Sequence, residues 1–211
     1  MTQILDAAAL TAVTANTEPY PYFAVEKAIL PQYIAGIMAD FPDIESGGSH
    51  TLEGLSAGPA FNALIDELNG PAFRQCISEK LAMDLHELPM IVTLRAHSRA
   101  KDGRVHTDSK SKIATILIYF NDDWTAETGR LRVLNSNNMD DMVAEISPNA
   151  GSLFAFKVTD NCWHGYPAYE GVRRSIQINF VADAAAVQKH HHRHGFTAKL
   201  KSLKTRLTGK K

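Results

Sequence analysis

The stretch of sequence that decides the fold is Ile113-Ala114-Thr115-Ile116-Leu117-Ile118-Tyr119-Phe120. It is rich in β-branched and aromatic residues, which is typical of a β-strand. Turn signals such as Asp102-Gly103 separate it from five further β-rich runs, which are Met90–Leu94, Arg130–Leu134, Met142–Ile146, Ser152–Val158 and Arg173–Val181. Many short strands without intervening helices predict a sandwich, a barrel or a jelly roll.

Residues 1–88 have a different pattern, in which apolar residues recur at helical spacing. We predict an Ala-rich helix within Ile4–Val13, an extended segment over Pro19–Val25 and three amphipathic helices. The apolar faces of those three helices are Ile34, Ile37, Met38 and Phe41, then Phe61, Leu64, Ile65 and Leu68, then Phe73, Cys76, Ile77 and Leu81. The fold class is therefore mainly β with N-terminal helices (α+β), and the helices should cover one face of the β-structure.

Length and composition favour one globular domain. The chain has 211 residues, of which 45% are apolar and 21% charged, close to globular averages. No run approaches the roughly 18 apolar residues of a membrane span, and the first residues lack the pattern of a secretory signal. Cys76 and Cys162 are too few for a disulfide framework, so we expect a reducing, cytoplasmic location. We predict a single domain over residues 1–183, with a helical part at 1–88 and a β core at 89–183.

Residues 184–211 form a basic, His-rich tail. They contain eight Lys or Arg and no Asp or Glu, whereas residues 1–183 carry a net charge of -9. Four apolar residues at helical spacing, Phe196, Leu200, Leu203 and Leu207, predict a basic amphipathic helix. Such a helix suits a membrane surface, an acidic partner or nucleic acid, but docking on the acidic body of the same chain is favoured. We expect no nucleic-acid partner.

The residues with catalytic chemistry lie in the β half of the chain. His106 and Asp108 are two residues apart, so on a strand they would share one face and reach one metal ion. His164 follows 58 residues later, in Cys162–Tyr166. Two histidines and one carboxylate are the ligand set that holds non-haem Fe(II) and leaves positions open. Arg173, nine residues further on, could bind a carboxylate with two parallel hydrogen bonds.

The alternation along the last strand favours Arg173 over its neighbour Arg174 as that carboxylate ligand. One face of the strand would carry Arg173, Ser175, Gln177 and Asn179, and the other Arg174, Ile176, Ile178 and Phe180. The polar face suits the wet interior of a site, and the apolar face suits packing against the helices.

This order of residues resembles the Fe(II)/2-oxoglutarate-dependent dioxygenases, and most of all their prolyl-4-hydroxylase-like branch. Three further stretches carry the resemblance, which are Ile118–Trp124, Gly129–Arg132 and Pro167–Tyr169 followed by Arg173. The similarity extends over roughly residues 19–182. The sequence departs from the branch at Thr128, where a second glycine is usual, and at Asn179, where an aromatic is frequent.

The resemblance implies a double-stranded β-helix core, the jelly roll of cupin-like proteins. Carried over residue by residue, it implies His106, Asp108 and His164 as iron ligands. It also implies that Arg173 and Tyr119 bind the distal carboxylate of 2-oxoglutarate and that Leu131 lines the same pocket.

The activity that follows from the resemblance is hydroxylation coupled to decarboxylation of 2-oxoglutarate to succinate. The cofactors would be Fe(II), 2-oxoglutarate and O₂, with ascorbate as a candidate reductant. The substrate would be a small molecule, a sugar-linked compound or peptidyl proline. The alternative is a non-catalytic jelly-roll sensor that binds a metal or a keto acid.

Overall fold

The computed structural model of the protein describes residues 3–183 and residue 185. Four helices lie in this part of the chain, α1 (Ala7–Ala12), α2 (Pro31–Ala39), α3 (Pro59–Asn69) and α4 (Pro71–Leu81). Nine strands accompany them, β1 (Tyr22–Val25), β2 (His50–Thr51), β3 (Met90–Ser98), β4 (Lys112–Tyr119), β5 (Leu131–Leu134), β6 (Met142–Ile146), β7 (Leu153–Lys157), β8 (His164–Gly165) and β9 (Gly171–Val181).

The strands form two antiparallel sheets. The large sheet has six strands in the order β1-β7-β4-β9-β3-β2, and the small sheet has three in the order β6-β5-β8. The central strands β4 and β9 are buried, and β9 pairs with β3 on one side and β4 on the other. Side chains of β9 that point to the small sheet therefore lie between those of two neighbouring strands.

Proline and glycine set the boundaries of the longer helices. Pro31, Pro59 and Pro71 each stand in the first turn, where the missing N–H costs no hydrogen bond and the fixed φ favours helix. Gly70 ends α3 and also precedes α4. The chain therefore turns sharply between two helices that pack on the same face of the large sheet.

Two hydrophobic cores lie on the two faces of the large sheet. One core joins the helices to the sheet, and its fully buried members include Phe61, Leu64, Leu68, Ile116 and Ile178. The other lies between the two sheets and includes Tyr20, Tyr119, Leu131, Phe154 and Phe156. The sandwich is thus apolar on its helix side and partly aromatic and polar in its interior, where a site can form.

This architecture confirms the expected fold class, a mainly β jelly roll with N-terminal helices, although some elements differ in extent. β3 continues to Ser98 because its last residues pair with Val172 and Gly171 of β9. Helix α1 starts at Ala7 rather than Ile4 because Leu5 forms a bridge with Ile29. The two-residue strands β2 and β8 are too short for any pattern to predict.

The other expectations concern the cysteines, membrane-spanning helices, the division at residue 88 and the tail. Both cysteines are free thiols, Cys162 buried and Cys76 half-buried. None of the helices in the described residues is long and apolar enough to cross a bilayer. The predicted division at residue 88 stays a prediction, and the predicted tail at 184–211, apart from Ala185, lies outside the described residues.

Candidate active site

The segment that contains His106 and Asp108 lies against strand β8. His106 and His164 form an isolated antiparallel bridge with two backbone hydrogen bonds of 3.0 Å. The bridge replaces the regular strand that the sequence analysis assumed around His106. It also brings the two imidazole rings to a centroid distance of 4.4 Å, although 58 residues separate them in the chain.

Both histidines are held in the same tautomer. Nδ1 of His106 donates to the carbonyl oxygen of Arg104 at 2.9 Å, and Nδ1 of His164 donates to that of Cys162 at 2.8 Å. A carbonyl only accepts, so the proton lies on Nδ1 and the Nε2 lone pair of each ring is available for another ligand. Backbone carbonyls commonly orient metal-binding histidines in this way.

Asp108 completes a group of three donors. Its carboxylate and one nitrogen from each of His106 and His164 all lie within 4.8 Å of one another. Two donors bound to one ion through bonds of about 2.1 Å lie about 3–4 Å apart, so a small inward shift of these side chains would let all three share one ion. Two neutral imidazoles and one carboxylate are a donor set that suits non-haem Fe(II).

The Asp108 carboxylate is supported on both oxygens. Lys112 Nζ donates to Oδ1 at 2.7 Å, and Thr115 Oγ1 donates to Oδ2 at 2.5 Å. The amide of Asn179 lies 3.1 Å from the same threonine hydroxyl. Asn179 is the position at which the sequence departs from the resembled branch, and its amide oxygen lies beside the hydroxyl that donates to the carboxylate.

Burial and charge set the protonation of these groups. Burial alone would raise the pKa of Asp108, but Lys112, His164 and the hydrogen bonds from Lys112 and Thr115 together hold that pKa below its usual value. Burial, and then the neighbouring imidazole of His106, lower the pKa of His164 to about 4. At neutral pH the site therefore offers an ionised carboxylate and a neutral His164 ring.

A small cavity of about 80 Å³ extends from the two histidines into the space between the sheets. Tyr119, Leu131 and Arg173 line it further inside. A larger cavity of about 670 Å³ lies elsewhere, between β1, α2 and the loop after β4, and it contains none of the predicted site residues. We therefore assign the site to the small cavity, because the donor groups converge there and not in the larger one.

Two polar atoms in the small cavity are buried without a partner. Tyr119 Oη and Arg173 Nη2 make no hydrogen bond within the part of the chain that the structure describes. Nε of Arg173 donates to the carbonyl of Gly129 at 2.8 Å, and its guanidinium lies 4.0 Å from the ring centroid of Tyr166. Burial raises the pKa of Tyr119, while the charge of Arg173 and the closeness of its guanidinium to the hydroxyl oppose the rise, although the two groups do not meet in a hydrogen bond of normal length and angle.

The two arginines lie on opposite faces of β9, as the alternation predicted. Arg173 is 4% exposed and faces the cavity between the sheets. Arg174 faces the other side, next to Asp43 and His97.

Several residues of the site were not predicted from the sequence. Lys112 and Thr115 support Asp108, and Arg95 and Tyr166 line the cavity, while Gln177 lies there on the polar face of β9 as the alternation predicted. Thr115 could have been found from the alternation of β4. No local signal identifies Lys112, because the salt bridge depends on how the chain turns between Asp108 and β4.

Comparison with known proteins agrees with this geometry. The sequence model of the 2OG-Fe(II) oxygenase superfamily matches residues 93–181, a span that contains all three donors and Arg173. No curated protein sequence matches the chain.

Solved structures share the fold at low identity. A prolyl-4-hydroxylase from Pseudomonas putida superposes with a TM-score of 0.57 at 17% identity, over 83% of this chain and 98% of that one. The viral collagen prolyl hydroxylase of Paramecium Bursaria Chlorella virus-1, in its 2OG complex, gives 0.54 at 13% identity, over 76% and 96%. A 2OG-Fe(II) oxygenase family oxidoreductase from Burkholderia pseudomallei gives 0.52 at 10% identity, over 75% and 82%.

The fold is thus the jelly roll of prolyl-4-hydroxylase-like oxygenases. Residues 93–181 match the sequence model of the 2OG-Fe(II) oxygenase superfamily, and the three-donor site within that span supports a dioxygenase that uses Fe(II), 2-oxoglutarate and O₂.

Proposed function

We propose that the protein is a hydroxylase in which His106, Asp108 and His164 hold Fe(II), and Arg173 and Tyr119 bind the distal carboxylate of 2-oxoglutarate. Leu131 supplies an apolar wall beside that carboxylate. The supporting observation is the pair of buried, unpartnered donors at Tyr119 Oη and Arg173 Nη2. They share one cavity with the two histidines, as a dicarboxylate bound to the metal at one end requires.

The unpartnered donors fit a carboxylate for energetic reasons. A buried donor without a partner typically costs about 1–3 kcal/mol, and the cost is larger for a charged group. A carboxylate would accept from both the hydroxyl and the guanidinium, and would also neutralise the Arg173 charge. The aromatic ring of Tyr166 under the guanidinium keeps the arginine in place without using its free N–H groups.

The residues at the metal end have complementary roles. The carbonyls of Arg104 and Cys162 orient the two imidazoles, and Lys112 and Thr115 keep the Asp108 carboxylate ionised and in one orientation. When bound, Fe(II) supplies the oxygen chemistry that hydroxylates a substrate and converts 2-oxoglutarate to succinate. The chain itself provides the ligands, an oriented cosubstrate and a cavity from which most water is excluded.

The substrate is a small molecule, a sugar-linked compound or a peptidyl proline. Two structural neighbours are a prolyl-4-hydroxylase and a collagen prolyl hydroxylase, so peptidyl proline is a compound to test early, although their identity of 17% or less supports only the fold. No observation favours the alternative of a non-catalytic sensor.

The experiment that tests the proposal is an anaerobic titration with Fe(II) and 2-oxoglutarate. A visible absorption band that needs both components is expected. Admission of air should then give slow succinate formation, which the true substrate accelerates. A protein that binds Fe(II) but gives neither the band nor succinate would contradict the proposal.

A further inference from the structure

Arg95 is a second arginine in the cavity, and the proposed function leaves it without a role. It lies on β3 directly opposite Ser175 of β9, and Ser175 also lies opposite Tyr119 of β4. Residues opposite one another in antiparallel strands project to the same face. Arg95, Ser175 and Tyr119 thus form one row across the sheet, facing the small sheet.

The guanidinium of Arg95 has no bound counterion within the described residues. Its long-range charge acts on Asp102 and Tyr119, but it forms no hydrogen bond or ion pair with either. The Asp102 carboxylate is already held by Arg99, at 2.9 Å from Nε and 2.8 Å from Nη2. Asp102 is therefore engaged elsewhere, and Arg95 remains a half-buried cation that has no partner among the residues the structure describes.

The charges around the cavity indicate what kind of ligand group Arg95 would bind. Arg95 and Arg173 both line this cavity, and none of the other described residues that line it is an Asp or Glu. The two charges of 2-oxoglutarate balance those of Fe(II), and Lys112 balances Asp108. The two arginines then leave the occupied site with net positive charge, which favours an anionic substrate.

We propose that Arg95 binds an oxyanion of the substrate, a carboxylate or a phosphate, so that the compound hydroxylated is an anion. The inference rests on the proposed function, because it assigns the distal carboxylate of 2-oxoglutarate to Arg173 and Tyr119. The planar guanidinium forms two parallel hydrogen bonds with either kind of oxyanion. The small, buried Ser175 separates Arg95 from Tyr119 in the row, which leaves room for a second ligand group.

Calorimetric titration of the full-length protein tests this, with Mn(II) in place of Fe(II) so that no turnover occurs. Inorganic phosphate and acetate are the probes, added separately after saturation with 2-oxoglutarate, and they distinguish the two oxyanions. We expect at least one of them to bind, and Arg95→Met to weaken it at least tenfold. Lys101→Met removes the same charge from an exposed position outside the cavity and should stay within twofold.

Three results would overturn the inference. Neither probe binds the wild-type protein, or Arg95→Met binds the probe as the wild type does, or Arg95→Met loses 2-oxoglutarate affinity as strongly as Arg173→Leu. The third result would make Arg95 part of the cosubstrate site. If Arg95→Met fails to fold, Arg95→Gln replaces it with the same expectations.

Failure of the proposed function has a separate signature. A wild-type protein that does not bind 2-oxoglutarate in the presence of Mn(II) would contradict the proposed function, whatever the two anions do.

Discussion

The two ends of the cavity differ in how far the protein satisfies its own polar groups. At the metal end, both oxygens of Asp108 and Nδ1 of both histidines have hydrogen-bond partners. At the inner end, Tyr119 Oη and Arg173 Nη2 have none within the described residues. The metal end is oriented before any ligand arrives, whereas the inner end retains donors that only a ligand satisfies.

This difference has a consequence for stability as well as binding. Removal of a support at the metal end should lower both the stability of the protein and its affinity for metal. Removal of an unpartnered donor at the inner end should lower cosubstrate affinity without lowering stability, because that donor makes no hydrogen bond of normal length and angle within the described residues.

The largest effect is expected from the proposed metal ligands. His106→Ala and Asp108→Ala each remove one of three donors, so the anaerobic absorption band of the Fe(II)–2-oxoglutarate complex should disappear. Absorption spectroscopy on the folded variants measures this. If both variants keep the band at wild-type intensity, these residues do not hold the iron.

Arg173 should give the next largest effect, on the inner end alone. Loss of a charge-assisted pair typically costs about 2–5 kcal/mol, which corresponds to a rise in the KM for 2-oxoglutarate of roughly 30- to several-thousand-fold. Arg173→Leu should show this rise in full. Arg173→Lys should give a KM between those of the wild type and Arg173→Leu, because lysine retains the charge but not the planar fork. Steady-state succinate formation gives the values.

Arg174 is the matched control, since it lies one residue away on the opposite face of β9. Arg174→Leu should change the KM for 2-oxoglutarate by no more than a few-fold. A large loss in Arg174→Leu together with a normal Arg173→Leu would mean that the other face of β9 meets the cosubstrate. Iron affinity without cosubstrate should be unchanged in all three arginine variants.

Thr115→Val tests the support of Asp108 with almost no change in side-chain shape. It removes the hydrogen bond to Oδ2, and loss of such an outer partner typically weakens metal binding about 10- to 100-fold. The free protein should also unfold at a lower temperature. Mn(II) calorimetry and thermal melts measure the two effects, and a variant with wild-type metal affinity would show that Thr115 does not orient the ligand.

Tyr119→Phe is the counterpart at the inner end. Its affinity for 2-oxoglutarate should fall, whereas the stability of the ligand-free protein should not. The KM for 2-oxoglutarate should rise about 5- to 10-fold, as expected when a hydrogen bond of about 1 kcal/mol is lost. The ligand-free protein should be as stable as the wild type or more stable by up to about 1 kcal/mol, because a buried unpartnered hydroxyl is removed. A clear loss of stability would mean that Tyr119 Oη has a hydrogen-bond partner in the free protein, and the two ends of the cavity would then not differ in this respect.

The sequence predicts the fold well where periodicity carries the information. The run Ile113–Phe120 corresponds to β4 within one residue at each end, and Met142–Ile146 is β6 as predicted. Strand pairing decides what the pattern does not show. The end of β3 and the two residues of β8 are strands because neighbouring strands offer them hydrogen bonds.

The site shows the same division between local and long-range information. Residue types and spacing suffice to select the His106, Asp108 and His164 group, and strand alternation suffices to place Arg173 in the cavity. The salt bridge of Lys112 and the unpaired state of Arg95 depend on tertiary geometry. Each requires knowledge of which acids are already engaged, and a sequence alone does not contain it.

The smallest effect is expected from removal of residues 184–211. Among the described residues, every proposed ligand, every support of Asp108 and every residue of the cavity precedes residue 184. A chain that ends at Asp183 should therefore convert 2-oxoglutarate to succinate, without substrate, at a rate within about twofold of the full-length protein. Circular dichroism melts first establish that the shortened chain is folded, and the succinate assay then compares the two proteins at equal Fe(II) loading. A folded but inactive short chain would show that the basic tail completes the site. The tail would then be a third part of the site, beside the metal end and the inner end of the cavity.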